Sequence, residues 1–333
     1  MKRRTFVNAA ALGLVGLPAI ASAQPAKTVY RVGLILTTSP LAEMLGPEPV
    51  HPRIRAFLHE LRRLGYTEGS NLILDRRSAE GKDDRFEAIV AELLALKPHV
   101  LITLGTPMVL AAKKLTTSVP IVSLGVSDPV AAGIVGSLAR PGGNITGLTA
   151  NAGPEFSAKR LEYFRDAVPS ISRVAYLAHQ FEWESPDGRA ARAAAQTLGL
   201  KMFLAQTTAN DYSAAFALIK RERPNAVFVG VQFPHWVNRK LIVETLNAMR
   251  LPNSHGYSES VEIGGLMSYA THADDTWVRA AAYVDRLLKG ARPSDLPIEQ
   301  PTRFELVVNL KTAKALGITI SQGVLVRADR MIE

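Results

Sequence analysis

The chain has 333 residues, 47% of them hydrophobic and 21% charged, with 24 Gly, 20 Pro and no Cys. That balance excludes collagen-like, disordered and disulfide-stapled classes, and the length favours two domains, each with its own core. The absence of cysteine removes disulfides, thiolate catalysis, Cys-ligated zinc, iron–sulfur clusters and a lipid-modified Cys anchor together. The formal net charge of +9 falls to +6, from 36 basic and 30 acidic residues, once residues 1–23 are set aside. No Lys/Arg block with interleaved aromatics marks a nucleic-acid face, so the surface reads as modestly basic and no nucleic-acid partner is expected.

The first segment reads as an address. Lys2-Arg3-Arg4 precedes an apolar middle from Phe6 to Ile20, and Ala21-Ser22-Ala23 precedes Gln24. Small residues at −3 and −1 fit a signal-peptidase pocket, so cleavage after Ala23 is expected. Arg3-Arg4 followed by Thr5-Phe6-Val7 resembles the twin-arginine export pattern, which does not decide between the Tat and Sec routes. Pro18 and the Ala/Gly-rich middle make a poor membrane anchor. No later stretch reaches the run of about 18 apolar residues that a spanning helix needs. A soluble, exported, periplasmic chain without a lipid anchor is the expectation.

From Val29 short β-rich runs alternate with amphipathic helical patterns. A strand at 30–36 is followed by a helix whose face is Ile54, Phe57, Leu58, Leu61 and Leu64, stopped by Gly65. Next come a strand at Asn71–Asp75, a helix at Asp84–Leu96 and a strand at His99–Leu104. A helix over Met108–Leu115 and a strand over Pro120–Leu124 complete the set. Near residue 171 the pattern restarts: a strand at 172–178, a helix at Ala190–Leu198, a strand at 201–206 and a helix at Tyr212–Arg221. Pro224–Gly230 then echoes Pro98–Gly105, and Leu251-Pro252 leading to His255 echoes Val119-Pro120 leading to Val122. One α/β unit is used twice, each copy a parallel sheet with helices on both faces.

Open parallel sheets hold ligands beyond the carboxyl ends of their strands, so two such lobes predict a cleft between them. The loops at those ends are Thr37-Thr38-Ser39, Gly105-Thr106-Pro107 and Ser127-Asp128-Pro129 in the first copy. In the second they are His179-Gln180-Phe181, Gln232-Phe233 and Tyr257-Ser258-Glu259. Thr38, Ser39 and Thr106 offer hydroxyls and helix N-terminal N–H groups that suit a carboxylate, or they simply cap their helices. Ser127 and Asp128 follow the fourth strand, and Asp128 either neutralises a ligand ammonium or caps the turn at Pro129. Gln180 and Gln232 are candidate polar contacts, and Phe181, Trp183, Phe233 and Trp236 supply ring surface for stacking or for packing. Tyr257 and Glu259 close the set, with Glu259 a candidate second ammonium partner. The chain has no G-x-S-x-G elbow, G-x-G-x-x-G turn, Walker A loop or H-E-x-x-H pair, and its seven His residues lack ligand spacing. Asp83-Asp84 and Asp274-Asp275 read as helix starts, so neither enzyme, cofactor nor metal site is expected.

Several segments, in order, resemble the bacterial ABC-transporter substrate-binding proteins that include tryptophan/tyrosine-type solute receptors. They are LRRLGYTEGSNL (61–72), VSDPVAAGIVGSLARPGGNITGLT (126–149), KRLEYFRDAVP (159–169) and GGLMSYA (264–270). The long run at 283–318 and the closing RADRMIE (327–333) extend the likeness over almost the whole chain. The resemblance implies a type I periplasmic-binding fold, two Rossmann-like lobes with parallel sheets joined by three crossovers. It places residues 24–147 and about 268–296 in lobe one, with 148–267 and about 297–333 in lobe two. It implies a monomeric receptor that closes on a small organic solute, an amino acid or an aromatic or carboxylate compound, and delivers it to an ABC permease in the inner membrane. A periplasmic sensor for a membrane receptor kinase is the alternative. The chain departs from its relatives in HQFEWESPD (179–187), in Gln232–Trp236 and in extra sequence at Glu43–His51.

Overall fold

The computed structural model describes residues 28–126, 128–150, 152–208, 211–271 and 273–333; the expected leader and Ser127 lie outside them. Apolar runs rich in Val, Ile and Leu form the strands, and Val100–Leu104 is buried along its whole length, as a strand covered on both faces must be. The first five strands are β1 (Tyr30–Leu36), β2 (Leu72–Ser78), β3 (Val100–Leu104), β4 (Ile121–Val126) and β5 (Ile145–Thr149). The next five are β6 (Arg173–His179), β7 (Lys201–Thr207), β8 (Ala226–Val229), β9 (Asn253–His255) and β10 (Met267–Thr271). The last three are β11 (Ile298–Glu299), β12 (Phe304–Asn309) and β13 (Arg330–Ile332).

They make two sheets, ordered β11-β5-β4-β3-β1-β2 and β13-β12-β10-β9-β8-β6-β7. The order β2-β1-β3-β4-β5 recurs as β7-β6-β8-β9-β10, so the repeat visible in sequence is a repeat of topology. The first sheet is parallel throughout. The second departs from the expected all-parallel form, because β12 runs antiparallel to β10. That strand enters from the other sheet rather than through a βαβ unit, so the right-handed crossover rule does not fix its direction.

Helices cover both faces of each sheet. Pro52–Arg63 and Ala273–Leu288 lie on one face of the first, Phe86–Ala95 and Thr106–Leu115 on the other. Ile54, Phe57, Leu58 and Leu61 are buried at helical spacing, with Pro52 in the first turn and His51 Nδ1 accepting from the Ile54 N–H at 3.4 Å. On the second sheet Pro154–Ala167, Pro186–Thr197 and Leu310–Leu316 oppose Ser213–Glu222 and Arg239–Ala248. The helix expected to begin at Ala190 starts at Pro186, because the Ser185 hydroxyl accepts from the Gly188 N–H at 3.2 Å. The chain passes between the sheets three times: from β5 into Pro154–Ala167, from β10 into Ala273–Leu288, and from β11 to β12.

Two positions in this frame give measurable consequences. Gly147 lies on β5 between Ser123 of β4 and Ile298 of β11, with φ +140°, and a Cβ there would stand 2.0 Å from the Ser123 carbonyl oxygen. Gly147→Ala is expected to cost at least about 3 kcal/mol of unfolding free energy in a urea titration, from clash and backbone strain together. His255 on β9 is buried, with Nε2 2.9 Å from Asn253 Oδ1, which can only accept, so Nε2 carries the proton. Burial first, then the charges of Arg160 and His235, push the imidazole from 6.5 down to about 3. The unfolded state therefore takes up a proton that the folded state refuses, and stability present above pH 6.5 drains as pH falls towards 3. Between pH 7 and 5 this residue alone removes roughly 2 kcal/mol. Urea melts at both pH values should show at least that loss, to which buried His51 adds a similar share, and His255→Asn should shrink it by roughly 2 kcal/mol; an equal slope in the variant would assign the effect elsewhere.

Candidate ligand-binding cleft

In a doubly wound sheet the crevice forms where successive connections leave for opposite faces, here between β1 and β3 and again between β6 and β8. Both switch points open into one cavity of about 320 Å³. Its first wall carries Thr37 and Thr38 beyond β1, Gly105 and Pro107 at the start of Thr106–Leu115, and Thr149 and Ala150 beyond β5. Its second wall carries His179 at the end of β6 and Phe181 just after it, Val231 to Pro234 beyond β8, and Gly256 and Tyr257 beyond β9. Phe86, Phe156 and Trp277 add aromatic faces, Arg53 a guanidinium, and Asp83 an exposed carboxylate.

Of the residues singled out in sequence, Thr38, Phe181, Gln232, Phe233 and Tyr257 line this cavity. Thr38 is 8% exposed and its Oγ1 is buried without a hydrogen-bond partner among the described residues. Phe181 is 56% exposed, a ring standing at the mouth. Phe233 stacks on Trp236 at 5.3 Å between centroids, and the Tyr257 hydroxyl donates to the Val231 carbonyl at 2.7 Å, tying two strand ends together.

The others take different places. Asp128 is not among the lining residues, and its Oδ1 caps the turn by accepting from the N–H groups of Val130 and Ala131 at 3.1 and 2.9 Å. Ser39 is buried beneath the wall, its carbonyl accepting from the Ser78 hydroxyl at 2.5 Å. Thr106 lies between two lining residues without lining the cavity itself, and Gln180 is exposed and donates to Glu184. Glu259 is not a lining residue either; its Oε1 accepts from Arg53 Nη2 and from Trp236 Nε1, each at 2.8 Å. Burial would raise its carboxyl, but the charge and hydrogen bond of Arg53, with that of Trp236, hold it below the usual value.

The second wall is built on helical turns where loops were expected, at Gln180–Glu184, Phe233–Val237 and Ser258–Glu262. The first of these drives Glu182 inward, where its Oε1 accepts from the Val231 N–H at 2.6 Å and lies 3.3 Å from the Tyr176 hydroxyl. Any side chain at Gly230 would collide with that carboxylate, its Cβ 2.1 Å from Oε2. Arg160, fully buried beneath, donates from Nη2 to the Val229 carbonyl at 2.7 Å. A carboxylate and a guanidinium thus hold the 229–231 backbone, from which Val231 to Phe233 reach the cavity. Arg53, which lines the cavity, and Glu182, which holds the backbone behind it, are the residues of this region that the sequence reading did not single out. The signal for Arg53 was a cation at the edge of an apolar helical stripe, one turn before Phe57.

Residues 51–332 match the family of ABC transporter substrate binding proteins. A tyrosine-binding protein of Clostridioides difficile (strain R20291) is 23% identical over 275 residues, 80% of this chain and 78% of that one. A conserved domain protein from Vibrio cholerae superposes with a TM-score of 0.80 at 24% identity, covering 91% of this chain and all of the other. An ABC domain from Streptococcus pneumonia in complex with L-Trp does so at 0.80 and 21% identity, covering 92% and 100%. With the type I periplasmic-binding architecture of two linked α/β lobes around one cleft, these likenesses describe a solute receptor rather than an enzyme. The chain belongs to the ABC transporter substrate binding protein family.

Proposed function

We propose that the chain is exported, loses its leader after Ala23, and works in the periplasm as a monomeric receptor that hands a small organic solute to an inner-membrane ABC permease. Among the described residues no helix is long and apolar enough to cross a membrane. The observation that carries the reading is the meeting of both switch points in a single aromatic-lined cavity. The relatives with L-Trp and tyrosine in their names support a solute with a flat, apolar body. Phe181, Phe233, Trp277 and Phe86 supply surface for it, and burial of rings is the largest favourable term available to a cleft of this composition. The polar head lies towards the first wall, where Thr38 Oγ1 is free and the N-terminus of Thr106–Leu115 carries positive partial charge. Lobe closure then follows from contacts that only the closed form makes to both walls.

Native mass spectrometry of protein taken from its periplasm tests this directly. A stoichiometric small organic molecule released on denaturation is the expected result; an empty protein that also fails to bind any member of a broad solute panel would remove the receptor role. Thr38→Val is expected to weaken the solute about 5- to 10-fold, the loss of one hydrogen bond of about 1 kcal/mol. Asp128→Ala, outside the cavity, should leave the dissociation constant unchanged while lowering the melting temperature. A reversal of those two results would return Asp128 to the site.

A further inference from the structure

We infer that Arg53 sets the charge of the solute, and that the cleft selects a small aromatic carboxylate carrying no ammonium group. The inference rests on the solute-receptor reading above and narrows it. Arg53 belongs to the helix Pro52–Arg63 on the first lobe, but everything that grips its guanidinium belongs to the second. Nη2 donates to Glu259 Oε1 at 2.8 Å, and the guanidinium carbon lies 4.5 Å from the Trp236 ring centroid and 5.1 Å from that of Tyr257. Aromatic neighbours hold a guanidinium in plane while leaving its edges available for planar acceptors. Nη1 has no hydrogen-bond partner among the described residues, and the side chain lines the cavity. Nη2 is therefore committed to Glu259 and Nε is buried without a partner, which leaves Nη1 as the charged donor for a carboxylate of the solute.

An ammonium finds no matching partner. Glu259 Oε1 already accepts from Arg53 and Trp236, and Oε2, buried without a hydrogen-bond partner among the described residues, belongs to a residue that does not line the cavity. Among the described lining residues the only carboxylate is Asp83, exposed at the rim, where solvent and salt screen it. His51, 5.0 Å from the Trp236 ring, is pushed down to about 4 by burial and then by Arg53 and Arg239, so at neutral pH it adds neither charge. A second guanidinium, that of Arg239, lies 4.4 Å from the same Trp236 ring; burial and Arg53 disfavour its charge, and Glu259 first, then Glu43 and Glu262, offset them. Among the described lining residues an α-ammonium would meet the Arg53 guanidinium and no buried carboxylate of its own, whereas the same molecule lacking its amino group would not carry that unpaired charge.

The test is calorimetric titration of the full mature chain, stripped by unfolding and refolding, with matched compounds. The set is 3-phenylpropanoate, L-phenylalanine and 3-phenylpropanamide, then indole-3-propanoate and L-tryptophan. The acids are expected to bind at least about tenfold more tightly than their amino-acid and amide counterparts, the difference a charge-assisted hydrogen bond makes. Arg53→Met, which keeps the stem and removes the donors, should weaken the acids about 10- to 100-fold and leave the amide nearly unchanged. Damage of a merely structural kind would weaken acid and amide alike, and that result would overturn the assignment. The wild-type comparison needs no variant to fold: either amino acid binding as tightly as its deaminated acid also overturns it. If none of the set binds, the solute released from periplasmic protein decides. A carboxylate without an ammonium sustains the inference; an amino acid or neutral molecule overturns it and leaves the receptor reading standing. No solute by either route removes both.

Discussion

A parallel sheet covered by helices on both faces has its ligand-binding capacity concentrated beyond the carboxyl ends of its strands, and here two such sheets turn those ends towards each other. Everything in the cleft follows from that confinement. The strand ends bring backbone groups that no ladder satisfies, hydroxyls such as Thr38, and helix starts such as Gly105-Thr106-Pro107 to one place. The flanking helices take up most of the apolar surface, and Phe86, Phe233 and Trp277 belong to those cores while also lining the cavity. Phe233 and Trp236 show the boundary most clearly: they rise from the second sheet and pack into the apolar cluster of the first.

Three crossings of the chain keep the two lobes in register, yet they do not fix how far apart the walls stand. That separation is set by contacts across the cleft, of which the Arg53–Glu259 pair is the most defined. A largely buried pair gains more from Coulomb attraction than a surface pair and loses more on desolvation, so its net worth is small compared with its apparent strength. What it fixes is geometry. Burial of Arg53 at 7% exposure, with three rings around it, means that the residue is in position only when the lobes are together. The supporting layer works differently: Glu182 and Arg160 stay within the second lobe and hold the 229–231 backbone whatever the first lobe does.

The duplicated architecture was legible in sequence because strand and helix periodicities are local. Val100–Leu104 and Ala226–Val229 carry their own pattern, and they occupy equivalent places, between β1 and β4 in one sheet and between β6 and β9 in the other. The second wall was not legible, because nothing in HQFEWE separates a helical turn from a loop, and the burial of Glu182, whose carboxylate accepts from the Val231 N–H, is a tertiary contact. Asp128 illustrates a residue type with two uses at one position: a carboxylate before Pro is both a cap and a ligand group, and here its Oδ1 caps the nearby N–H donors. Arg53 and Glu259 stand 206 residues apart, and no pattern within either segment announces the other. Contacts between lobes are set by tertiary geometry alone.

A receptor has to release what it binds, which limits how strong the contact between lobes can be. A bidentate Arg–carboxylate fork would favour the closed form by itself and leave the solute little to add. The arrangement here avoids that: only Nη2 reaches Glu259, and the accepting oxygen is shared with Trp236. Nη1 has no acceptor among the described residues, so the closed form is complete only when another acceptor occupies it. Closure and recognition thereby draw on one side chain. The same Arg53 that the second lobe holds in place is the one through which an anionic solute adds its share to the closed state, and a solute without that charge gains the aromatic walls but not the final contact.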